Sequence, residues 1–113
     1  MNKLVYSPAA GQDLLDIKAY ITDELANPSA AVRTVDHITK EIRTLTGRPN
    51  MGTPLSSVVE AETDYRFLMC DHYAAFYRFE NQTVFIVRVL YGRRDFMRIL
   101  FGVVPDGETT EDL

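Results

Sequence analysis

Between residues 66 and 98 the chain carries six arginines, Arg66, Arg78, Arg88, Arg93, Arg94 and Arg98, against only three acids, Asp71, Glu80 and Asp95. His72 and Tyr91 fall in the same stretch. Guanidinium groups gathered on one surface bind polyanions, and beside a reacting phosphate they stabilise the charge that builds there. Histidine is a residue type suited to acid–base work, which makes His72 a candidate. Tyr91 is able to stack on a base or donate a proton. Each residue also has a structural reading. Arg94 could pair with Asp95, Arg78 and Arg88 with Glu80 or with neighbouring helices, and Arg66 could be a solvated sheet residue. Tyr91 could simply pack, and His72 could sit on a surface turn.

The overall charge of −4 conceals how these cations are distributed. Residues 1–65 sum to −3, residues 66–98 to +3, and residues 99–113 to −4. Fields act locally, over about 8 Å at physiological salt, so a basic patch on an acidic chain is physically reasonable.

The elements that must position these residues follow from periodicity. Lys3-Leu4-Val5-Tyr6 reads as a short strand closed by Ser7-Pro8, a cap followed by a proline suited to the first helical position. Leu14, Ile17, Ile21 and Leu25 form one helical stripe. Asn27-Pro28 repeats the start signal, and Val32, Val35, Ile38, Ile42 and Leu45 form a second stripe. The two helices make an antiparallel hairpin. Two prolines and a glycine in residues 48–54 mark a loop. Then come three apolar runs, from Tyr65 to Cys70, Tyr73 to Phe79 and Thr83 to Tyr91, separated by Asp71-His72 and Glu80-Asn81-Gln82. The third run is the most apolar and reads as central. Phe96, Ile99 and Leu100 suggest a short last helix or an extended segment.

This order specifies an α+β fold: a strand, a helical hairpin, and a three-stranded antiparallel meander that completes a four-stranded sheet. The helices cover one sheet face, leaving the other half-covered and arginine-bearing. Residues 1–101 form the single domain, and 102–113 an acidic tail with too few apolar residues to order itself.

Composition narrows the function classes. A chain of 113 residues, 46% hydrophobic and 25% charged, is one ordinary globular domain. No apolar run approaches the roughly 20 residues that span a bilayer, and the N-terminus lacks a signal-peptide core. The one cysteine, Cys70, has no intrachain partner and suits the reducing cytoplasm. His37 and His72 show no metal-ligand spacing. There is no glycine-rich phosphate loop and no Ser-His-Asp arrangement, so no metal or cofactor is expected.

The helix opener VYSPAAGQDLLDIKAYI, the loop RPNMGTPL and the run YRFLMCDHYAAFYRF…VFIVRVLYGRRD resemble the RelE/ParE superfamily, the toxin halves of bacterial type II toxin–antitoxin modules. The resemblance spans residues 3 to about 101. It implies a cytoplasmic toxin restrained by a cognate antitoxin, through which alone it reaches operator DNA. The antitoxin would dock an acidic amphipathic segment against the arginine face or alongside the helices.

Two activities occur on this fold. RelE-like members cut mRNA on the ribosome, and ParE-like members inhibit DNA gyrase. Metal-free RNA cleavage needs a base, an acid and cations around the scissile phosphate. The nuclease pattern Y-R-x-x-Y puts an arginine early in the second meander strand, where this chain has Ala74. The family's Gly-Lys-Arg matches Gly92-Arg93-Arg94, and its terminal tyrosine falls near Leu100. V-L-Y-G-R-R-D resembles the ParE-type V-L-H-G-x-R-D, with Tyr91 in the histidine position.

These matches favour gyrase inhibition. The alternatives are a ribosome-dependent mRNA interferase and an inactive homologue that serves only as an antitoxin-binding corepressor. If the chain is a nuclease, Arg94, Arg66, Arg88 and Tyr91 would be catalytic, with Arg93, Arg78, His72 and Arg98 in binding. A three-residue turn after Phe79 would set Arg88 opposite Ala74, filling the vacated space from the next strand. A two-residue turn would flip that face.

Overall fold

The computed structural model describes residues 1–60, 62–92 and 96–102, with only the backbone described over 96–98. Ser7 caps the first helix α1 (Pro8–Asp23), its Oγ accepting the Ala10 N–H at 2.9 Å. Asn27 does the same for α2 (Pro28–Arg43) through the Ala30 N–H at 3.1 Å. Each cap satisfies a donor that the helix leaves unpaired, an effect of about 1 kcal/mol. The helices pack as the expected antiparallel hairpin.

The sheet contains β1 (Lys3–Tyr6), β2 (Thr53–Pro54), β3 (Arg66–Cys70), β4 (Tyr73–Glu80) and β5 (Thr83–Tyr91), in the order β1-β5-β4-β3-β2. β1 runs parallel to β5, and the remaining pairs are antiparallel. The α+β class and the meander agree with the sequence. The sheet has five strands instead of four, because Thr53 and Pro54 pair with Phe67 and Arg66 inside the expected loop. The middle strand is β4, with β5 beside it. A short helix, α3 (Phe96–Phe101), follows β5.

The register differs where it matters. Glu80 pairs with Thr83 across a two-residue turn, Asn81-Gln82, whose φ angles are 52° and 61°. Two left-handed residues give the turn a twist that matches the flanking strands. Farther on, Tyr77 faces Ile86 but Phe76 faces Arg88, so Val87 is an extra residue that bulges β5. Arg78 therefore opposes Phe85. Arg88 opposes Phe76 and not Ala74.

Both faces of the sheet are occupied. Under the helices lie Ile38, Ile42, Leu45, Ala75, Tyr77, Val84, Ile86 and Val89, each at most 2% exposed. Burying each of the larger aliphatic side chains contributes about 1.5–3 kcal/mol. On the opposite face Leu55, Phe67, Ala74 and Phe76 form a second cluster, against which Val59, Tyr65, Leu90, Leu100 and Phe101 pack. The face expected from the sequence to be half-covered and arginine-bearing instead carries this apolar cluster. Among the described residues no helix is long and apolar enough to cross a membrane.

Candidate functional site

The three meander arginines whose side chains are described each serve an internal partner. Arg66 begins β3, and its Nη1 donates to the Gly52 carbonyl at 2.7 Å and the Asn50 carbonyl at 3.2 Å. From β4, Tyr77 grips the same loop: its hydroxyl accepts the Gly52 N–H at 2.9 Å and donates to the Pro49 carbonyl at 2.7 Å. Arg66 and Tyr77 together shape residues 49–52 and so create β2.

Arg78 donates from Nε and Nη2 to the Asp64 carboxylate at 3.0–3.2 Å and from Nη2 to Glu80 at 3.1 Å. Its guanidinium also lies 5.9 Å from the Tyr65 ring centroid. The hydrogen bonds to Asp64 raise its pKa, so its charge is fixed and locally balanced. Pairing with Glu80 is the structural alternative the sequence allowed, and Asp64 strengthens it.

Arg88 is held most tightly. Its Nε and Nη2 each donate to Asp13 of α1 at 2.7 Å, a bidentate pair. The Val89 N–H donates to the same carboxylate at 2.9 Å. Asp13 thereby ties α1 to the bulged part of β5, where β1 has already ended. Ser7 adds a second tie, its Oγ donating to the Val87 carbonyl at 2.7 Å. The hydrogen bonds to Asp13 raise the Arg88 pKa.

Ala74, where the resemblance led us to expect the arginine of a nuclease, is fully buried in the second apolar cluster. Arg88 does not replace it, because the register and the Asp13 pair take its guanidinium elsewhere. His72 and Tyr91 come together at the far end of β5, with ring centroids 6.4 Å apart. Tyr91 also stands edge-on to Tyr73 at 5.5 Å. Arg93 and Arg94 lie outside the described residues, as does the Arg98 side chain.

Asp13 lies outside the stripe of Leu14, Ile17, Ile21 and Leu25 and was not among the site residues expected from the sequence. The signal was present: Asp13 is three residues after Ala10 and four before Ile17, on the edge of the buried side. A carboxylate there needs a cation, and Arg88 supplies it. Among the described residues no cluster of three His, Cys, Asp or Glu is placed to hold a metal. Burial, with Glu41 and Asp71 adding, pushes the Cys70 thiol up to about 12. That removes it as a nucleophile near neutral pH.

Comparison with known proteins bears on the family and the fold. The family model for the ParE toxin of the type II toxin–antitoxin system parDE matches residues 4–96. The chromosomal ParDE toxin–antitoxin system from P. aeruginosa is similar in structure at a TM-score of 0.69 and 23% identity, covering 81% of this chain and 97% of that one. The RelBE2 toxin–antitoxin complex from Mycobacterium tuberculosis is similar at a TM-score of 0.50 and 20% identity, covering 80% and 96%. At such identities the two structures speak to the fold alone. Among curated proteins nothing matches significantly. With the family's pattern running from β1 to the start of α3, the chain belongs to the ParE toxins of type II toxin–antitoxin systems.

Proposed function

We propose that this toxin arrests growth by binding and inhibiting DNA gyrase, without cutting RNA. One observation carries the reading. The position that a nuclease of this superfamily fills with arginine holds Ala74, which is closed off by Leu55, Phe67 and Phe76. A phosphate could not reach it, and alanine has no donor to offer. The pairing of Arg78 with Asp64 and Glu80 and of Arg88 with Asp13 supports the same conclusion, since a cation already neutralised by a carboxylate attracts a phosphate weakly.

In this reading residues 1–101 carry the activity in the cytoplasm, and a cognate antitoxin restrains it. The described arginines do not offer that antitoxin an open basic face, so its docking segment lies alongside the helical hairpin. The test is induction of the toxin without antitoxin, followed by mapping of mRNA ends and measurement of plasmid supercoiling in the same cells. Relaxed plasmid with intact mRNA supports the proposal. Codon-phased cuts in mRNA overturn it, and the absence of growth arrest would leave only the corepressor role.

A further inference from the structure

On β1, β5 and β4 the side chains of Leu4, Tyr6, Val84, Ile86, Tyr77 and Phe79 pack under the helices. Alternation along each strand therefore turns Lys3, Val5, Phe85, Arg78 and Glu80 to the opposite face. Leu100 and Phe101 cover the part of that face around Phe67 and Phe76. Beyond this cluster Val5 and Phe85 are left 43% and 41% exposed. They are register partners on neighbouring strands and form one apolar ridge.

Charge is divided evenly about the ridge. Lys3 pairs in register with Thr83, and Thr83 with Glu80, so lysine and glutamate stand one strand spacing to either side of β5, about 10 Å apart. The next row runs Val5, Phe85, Arg78 in the same order. Arg78 is shared between Asp64 and Glu80, which leaves the β4 side with one more negative charge than positive. On the β1 side Lys3 is exposed and has no carboxylate partner among the described residues.

A cation and a surplus anion at equal distances from an apolar centre make a surface complementary to itself. Turning a second copy by half a turn about an axis along β5, above Phe85, lays its β1 over this chain's β4. Each Lys3 then meets the partner's Glu80, Phe85 meets the partner's Phe85, and each Val5 covers the partner's Arg78. We propose that two copies of the toxin associate face to face through this ridge, with both helical hairpins on the outside. The ridge crosses only three strands and buries less than the ~1,200 Å² of a stable complex, so the dimer forms at about 10–100 µM and above. The inference stands on the sheet face alone and does not depend on gyrase being the target.

The test is sedimentation velocity of the whole chain from about 1 µM to about 1 mM. The mass should rise from one chain to two as concentration increases. Phe85→Asp should raise the midpoint at least about tenfold. Lys3→Glu and Glu80→Lys should each weaken association by about the same factor, since the two-fold sets like charges together twice. An equimolar mixture of these two variants should regain the wild-type midpoint, because one then offers only carboxylates and the other only ammonium groups at the contacts. Both variants keep a net negative charge, so general attraction would not produce that rescue. Thermal unfolding checks that each variant folds, and the mixture decides the matter if Phe85→Asp does not. A chain monomeric at about 1 mM, a dimer indifferent to Phe85→Asp, or a mixture without rescue would overturn the proposal. So would a Phe85 ring resonance that moves on deletion of residues 103–113 at constant mass, since the chain's own tail would then be the occupant.

Discussion

Replacing Asp13 by alanine removes three hydrogen bonds at once, two from Arg88 and one from the Val89 N–H. The side chains of Arg88 and Asp13 are only 28% and 10% exposed. Breaking a fully buried pair costs about 3–5 kcal/mol because a charge is left behind. Water reaches part of Arg88, which lowers this to about 2–3 kcal/mol. Stranding the Val89 N–H adds about 1 kcal/mol. The expected loss is therefore about 3–4 kcal/mol. For a chain of 113 residues the entropy of unfolding is about 0.24 kcal/mol per kelvin, so the midpoint should fall by about 13–17 °C. Urea titration should show a lower midpoint with an unchanged slope. A cycle with Arg88→Met isolates the pair, since methionine keeps much of the stem without the charge. The double variant should be about 2 kcal/mol more stable than the two single losses predict. A loss below about 1 kcal/mol, or simple additivity, would refute the reasoning that Asp13 anchors the bulge.

Other parts of the fold make similar claims. Gly52→Ala should cost about 1–3 kcal/mol in urea titration, because a Cβ there would meet the Tyr77 hydroxyl at 2.5 Å and the Phe67 carbonyl at 2.9 Å. Ser7→Ala should cost about 1–2 kcal/mol, since it removes both the α1 cap and the tie to Val87. Cys70 should resist thiol reagents at pH 8 until urea unfolds the chain. Its thiol ionises near 9 in the unfolded state and is pushed up to about 12 when folded. The unfolded chain therefore loses its proton first, so stability contributed below pH 9 is lost as pH rises toward 12. Tyr6, Tyr73 and Tyr77, also raised mainly by burial, act in the same direction. Cys70→Ala should flatten the alkaline decline without abolishing it; an identical slope would contradict the account.

Features set by neighbours in sequence were legible there. Ser7 and Asn27 each bond an N–H three residues on, so the helix starts could be read locally. The strands followed from their apolar runs. What escaped depends on distant partners. β2 exists because Arg66 and Tyr77 clamp its loop from 14 to 28 residues away. The β4–β5 turn has no glycine to announce two left-handed residues, and Gln82 in particular gives no such signal. The bulge at Val87 leaves no composition signature, yet it decides which way Arg88 faces. The arginines themselves were conspicuous, but Asp64 and Asp13, which occupy two of them, lie 14 and 75 residues away. Charge counted along the sequence could not show that these cations were already spoken for.

The central claim is that this toxin works by engaging gyrase and not by cleaving RNA. Its most direct test is the supercoiling of relaxed plasmid by purified gyrase and ATP as the purified toxin is titrated in. The account predicts that supercoiling falls with toxin concentration. Undiminished supercoiling at saturating toxin, with phased cleavage of mRNA in a translating extract, would contradict it.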